Sequence, residues 1–124
     1  MQRLWIGLGG LAGLGAVAMA ALGAHGLAHL DPAALGMVRS AVQMQGWHAL
    51  ALIGCGLWVP RGGWPADLAG MAFTIGIVLF CGAVYSLALG GIALGMLAPI
   101  GGTLLMVGWL LMALSALRAP RRDA

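Results

Sequence analysis

A chain of 124 residues that is 62% hydrophobic and only 7% charged does not have the polar surface of a water-soluble domain, in which roughly a quarter of the residues carry charge. Its net charge of +3 does not make it a nucleic-acid binder, because the arginines are scattered at the ends of apolar runs and no basic face exists on which phosphates would sit. Lipid is the remaining solvent, and in lipid only helices or closed barrels satisfy the backbone. Strand-like alternation is missing and the apolar runs are about 20 residues long, so the expected fold is all-α, a bundle of spanning helices in a single domain.

The first run, Leu4 to Leu22 behind Arg3, has some features of a cleaved leader. It is long enough to span, and is read as the first transmembrane helix, about residues 4–24. Gly9, Gly13, Ala16, Ala20 and Ala24 recur at three- and four-residue spacings and form a small-residue stripe that lets a neighbouring helix approach closely. The segment ends at His25-Gly26. Asp31-Pro32 then reads as a helix start, with Asp as N-cap and Pro at the first helical position. Gly36 or Gly46 is the expected bend between a surface stretch carrying Arg39 and a second span over about 41–59. Pro60-Arg61-Gly62-Gly63-Trp64-Pro65 reads as a tight polar turn. A third span follows over about 68–89, closed by Gly90-Gly91, and a fourth over about 96–117, in which Pro99 suits the first turn. Gly101 and Gly108, seven residues apart, share a face for packing.

Four spans place Arg3, Arg61, Arg118, Arg121 and Arg122 on one side and Arg39 alone on the other. The positive-inside rule then puts both termini in the cytoplasm, or in the matrix were the membrane mitochondrial. Trp5, Trp58 and Trp64 fall at the inner interface, as an aromatic belt does.

The few polar residues inside the spans converge. Gln45 and His48 share a stripe of the second span with Leu52 and Cys55. Tyr85 shares one of the third span with Thr74, Val78 and Cys81. At 1.5 Å per residue, His48, Tyr85 and Thr103 lie roughly 6–10 Å below the outer ends of their spans. Polar groups turn away from lipid, so one outer-half cluster is expected, made of Gln45, His48 and Tyr85, with His25 at the lip and Ser86 and Thr103 as further candidates. The simplest role for His48 is a neutral ring bonded to Tyr85, Gln45 or a backbone carbonyl. A haem or copper site on His25 and His48, with Met44 or Cys81, is the sharper alternative, and a quinone-headgroup or lipid pocket at Gln45, His48 and Tyr85 is another. Cys55 and Cys81 read as small buried hydrophobes, without metal-pair spacing. The spans contain no carboxylate, so hydrolytic chemistry is not expected and the chain is not read as an enzyme.

Four motifs resemble a known family. AALGAH ends at His25, MQGWHALAL runs from Met44, LFCGAVYSLAL from Leu79 and APIGGTLLMVGW from Ala98. They are similar to the patterns GAFGAH, YQxxHxLAL, LFSGSLYxLAL and TPxGGxxxxxGW of the small four-helix membrane proteins called domain of unknown function 423, or the transmembrane protein 256 family. The resemblance covers nearly the whole chain and carries His25, Gln45, His48, Tyr85, Pro99, Gly101, Gly102, Gly108 and Trp109 onto family positions. Ala20 stands in place of a glycine, Met44 of a tyrosine, Cys81 and Ala83 of serines and Ala98 of a threonine, which removes hydroxyls from the cluster. The resemblance implies the four-helix fold and a bacterial inner membrane or a related one, and it brings no activity. The expected role is a small accessory or scaffold protein without a resident cofactor. Its surroundings are the lipid bilayer and, as partner, a larger membrane complex or further copies of the chain. The alternative is a binding protein for a redox cofactor, quinone or lipid.

Overall fold

The computed structural model describes residues 1–118; Arg121 and Arg122, on which part of the orientation reading rests, lie outside them. Three helices make up the described chain: α1 (Gln2–His25), α2 (Pro32–Gly90) and α3 (Leu97–Arg118). Each is long and apolar enough to cross a membrane.

The start of α2 is the one the sequence announces. Pro32 occupies the first turn, where its missing N–H costs nothing, and Asp31 Oδ1 accepts the Ala34 N–H at 2.7 Å. The end follows from Gly91, whose φ of 65° caps α2 in the left-handed region. Between these ends the structure corrects the expectation of four separate helices. The second and third stretches belong to one 59-residue helical element. Residues 60–65 are not a non-helical turn. Within α2 only Gly63 leaves helical geometry, at φ 64° and ψ −151°, a region open essentially to glycine alone. Pro65 tolerates the helix that resumes after Gly63 because it lies in the first turn of that arm. Gly36 and Gly46 do not bend the chain, since both keep helical geometry.

A straight helix of this length would measure about 90 Å. Gly63 instead folds α2 back on itself, so that Cys81 Sγ reaches Ala41 O at 3.5 Å. We call residues 32–62 the first arm and 64–90 the second. Helix α1 runs antiparallel to the first arm. A Cβ on Gly9 would lie 2.8 Å from Ala49 O, and one on Gly56 2.8 Å from Gln2 O, so the two backbones meet at the Gly9 end of the small-residue stripe. Helix α3 runs antiparallel to the second arm, with Gly101 against the backbone of Phe80 and Gly108 under the Phe73 ring. Helices α1 and α3 each pack on α2 and not on each other. The core between them holds Leu52, Cys55, Phe73 and Leu105, all 2% exposed or less.

The outer surface is apolar. Leu11, Leu14, Val17, Leu50, Val78 and Met106 are 65% to 70% exposed, which is unfavourable in water and natural in lipid.

Candidate functional site

Side chains that carry chemistry meet halfway along the hairpin. Tyr85, on the second arm, donates its hydroxyl to Gln45 Oε1 on the first at 2.9 Å. The amide nitrogen of Gln45 in turn donates to Ala12 O of α1 at 2.9 Å. Gly15 leaves room for this, because a Cβ there would sit 2.6 Å from Gln45 Nε2. One relay therefore joins α1 to both arms.

His48 makes a second relay one turn further along the first arm. It is 3% exposed. Nδ1 lies 2.6 Å from Met44 O, and because a carbonyl can only accept, Nδ1 carries the proton. Nε2 then has a free lone pair, which accepts the indole N–H of Trp109 on α3 at 3.0 Å. Phe73 completes the aromatic packing, with its ring centroid 5.5 Å from His48 and 5.1 Å from Trp109. Met44, in place of the tyrosine of the family pattern, contributes only its backbone carbonyl. The ring is thus saturated at both nitrogens by groups of the same chain, and neither points to an open coordination position.

The expected cluster of Gln45, His48 and Tyr85 is brought together at one level, as two adjacent relays rather than one. His25 is not part of it. It ends α1 with its side chain exposed, because α1 outruns the level of the cluster by more than two turns. Thr103 is exposed and bonds Pro99 O of its own helix at 2.9 Å. A two-histidine haem or copper site therefore has no geometric support here, since His25 and His48 lie at different levels and His48 has no free nitrogen. Among the described residues no group of three or more His, Cys, Asp or Glu side chains is placed to hold a metal ion.

Three ties were not anticipated. Trp109 was singled out only by the family pattern, yet it is the partner of His48. Its position just past the middle of the last span, at the level of His48, was the available signal. Trp5, expected in an interfacial belt, is 3% exposed; its ring covers Gly70 and its Nε1–H donates to Asp67 Oδ1 at 2.8 Å. Trp58 donates to Ser115 Oγ at 2.9 Å, and that hydroxyl donates to Met112 O at 2.6 Å. Of the three belt tryptophans only Trp64 is widely exposed, with the Arg118 guanidinium 5.2 Å from its ring centroid. Cys55 and Cys81 are free and buried, as expected, with Cys55 Sγ directed at Met112 Sδ at 3.4 Å. No buried side-chain nitrogen or oxygen among the described residues lacks a hydrogen-bond partner.

Known proteins bear the same pattern. The family described as protein of unknown function DUF423 matches residues 19–102. A UPF0382 membrane protein of Haemophilus influenzae is 33% identical over 121 residues, covering 96% of this chain and 98% of its own. A UPF0382 membrane protein of Staphylococcus haemolyticus is 36% identical, with 94% and 98% covered. The UPF0382 inner membrane protein YgdD of Escherichia coli is 32% identical, with 86% and 83% covered. No solved structure matches. With apolar helices of spanning length and these relatives along almost its entire length, the chain belongs to the DUF423 family and is a multi-pass membrane protein.

Proposed function

We propose that the protein is a non-enzymatic scaffold of the bacterial inner membrane. It crosses the bilayer four times, by α1, the two arms of α2, and α3, with both termini cytoplasmic. The bend at Gly63 supports the four crossings, since each arm of about 30 residues is long enough to span the roughly 30 Å hydrocarbon layer with some tilt. The bias of arginines toward the termini and the Gly63 bend supports the orientation. The Escherichia coli relative is named as an inner membrane protein.

The observation that carries the scaffold reading is the saturation of the polar groups in the Gln45 and His48 cluster. A site that reads a ligand keeps convergent polar groups open toward it. Here the Tyr85–Gln45–Ala12 and Met44–His48–Trp109 relays use theirs to tie α1, both arms and α3 together. Interhelical bonds of this kind average about 0.6 kcal/mol and reach about 1.7 kcal/mol, small sums that fix which faces meet. The apolar exterior is the remaining contact surface, in reach of lipid and of a larger membrane assembly.

The test is purification of the full chain from native membranes in mild detergent. It is followed by a visible spectrum, metal analysis and quinone extraction, and by sizing of the native particle. The scaffold reading expects a colourless, metal-free and quinone-free protein in a particle of defined mass larger than the single chain. A Soret band, stoichiometric copper or a bound quinone, lost on His48→Gln, overturns it.

A further inference from the structure

Away from the two relays, at the end of the molecule where α1 runs into α2, a groove of about 430 Å³ opens between the last turns of α1 and the first turns of α2. That is within the volume range of ligand sites. Its floor is apolar and contributed by both helices, with Met19 and Ala20 on one side and Leu35 and Val42 on the other. Its polar groups all come from α2: Arg39, Ser40 and Gln43. All three are exposed, and none of their side chains takes part in the side-chain hydrogen bonds of the described residues. Every buried side-chain nitrogen and oxygen among the described residues, by contrast, has a partner.

Two of these residues need a partner that the chain does not supply. Arg39 and Gln43 are four apart, so they lie on one face with Gln43 one turn, about 6 Å, further along the arm. The arm heads from its start at Pro32 toward the middle of the hairpin, so Gln43 is the deeper of the two in the membrane, whichever side faces the cytoplasm. An amide turned to hydrocarbon without a partner is costly. A guanidinium, itself weakly hydrated, at the mouth of an apolar groove pairs bidentately with a phosphate.

We infer that the groove is a binding site for one anionic glycerophospholipid. Its order of groups with depth matches the groove: a phosphate outermost, at Arg39 and Ser40; ester carbonyls on the apolar side of the phosphate, at the Gln43 amide; and an acyl chain along Met19, Ala20 and Val42. The guanidinium charge favours a lipid with net negative charge over a zwitterionic one. A neutral quinone offers Arg39 carbonyl acceptors but no negative charge. This site is separate from the Gln45 and His48 relays and does not depend on the scaffold reading.

Native mass spectrometry of the full chain in detergent, with one equivalent of dioleoylphosphatidylglycerol or dioleoylphosphatidylcholine, tests the inference. The expected result is one phosphatidylglycerol retained per chain, in preference to phosphatidylcholine. Arg39→Gln weakens retention about fivefold, the effect of one basic side chain at an anionic surface. Ala20→Phe, which fills the groove without altering charge, weakens it as well, and Arg61→Gln, at the opposite end, leaves it unchanged. Circular dichroism of each variant reports that the fold is kept. The inference is overturned by retention unchanged in both groove variants, by equal retention of phosphatidylcholine, or by an equal loss in Arg61→Gln. Displacement by millimolar inorganic phosphate, the mark of a bare anion site, also overturns it, as does a lipid-free dimer.

Discussion

The two ends of the molecule are built differently. Around the bend at Gly63, side chains from all three helices are tied across elements: Trp5 to Asp67, Trp58 to Ser115, and Arg118 over Trp64. Each tie uses an indole, which offers a large apolar face and one donor, a combination suited to the boundary between lipid and water. At the opposite end, where α1 meets the start of α2, the polar side chains Arg39, Ser40 and Gln43 are exposed around a groove. The closed end holds the bundle with Trp5, Asp67, Trp58 and Ser115, while Gln2, Arg3 and Arg61 stay exposed at its surface. The open end keeps polar groups that the fold does not need, and so it is the end where a bound molecule changes least in the protein itself.

That contrast orders the effects of substitution, read as unfolding free energy in mixed detergent titrations. Trp5→Ala removes a buried ring and leaves Asp67 without its donor, and is expected to cost about 3–5 kcal/mol. Trp5→Phe, which keeps the ring against Gly70 and drops only the indole N–H, separates packing from the hydrogen bond and should retain more than half of that stability. Gly63→Val forces a branched residue into φ 64°, ψ −151°, with an expected loss of about 1–3 kcal/mol. In the middle of the molecule Tyr85→Phe breaks one relay bond and should cost about 0.6 kcal/mol. At the open end Arg39→Gln should stay within about 0.5 kcal/mol of the parent protein in lipid-free detergent. A loss at Arg39 as large as that at Trp5 would erase the distinction between the two ends.

What could be read from the sequence follows the range of the interactions. The membrane class, the Asp31-Pro32 start and the Gly91 stop are local, and residue types within a few positions decide them. The meeting of Gln45 with Tyr85 was legible because both are rare polar residues on apolar stripes, and depth alone brings them to one level. The partner of His48 was not. Helix α3 carries few polar residues, and Gly101 and Gly108 mark only the face that packs on the second arm, so nothing in its pattern says that the Trp109 indole reaches the first arm. The region 60–65 misled for a physical reason: prolines and glycines together suggest a loop, but Pro65 is harmless in a first turn and one glycine at positive φ is enough to reverse the chain. His25 is expected at the lip of the cluster, but α1 carries it beyond the cluster to the exposed end of the helix.

The central claim is that the His48 ring is saturated within the chain, with the proton on Nδ1 and the Nε2 lone pair facing the Trp109 N–H. Nitrogen NMR of the full chain labelled with ¹⁵N-histidine, in lipid nanodiscs, reads both nitrogens directly. The prediction is a protonated Nδ1 and an unprotonated, hydrogen-bonded Nε2 for His48, with the Nε2 resonance moved by Trp109→Phe and unmoved by added Cu(I), haem or ubiquinone. A protonated Nε2, or an Nε2 resonance that shifts with one of those ligands and ignores Trp109→Phe, would contradict it.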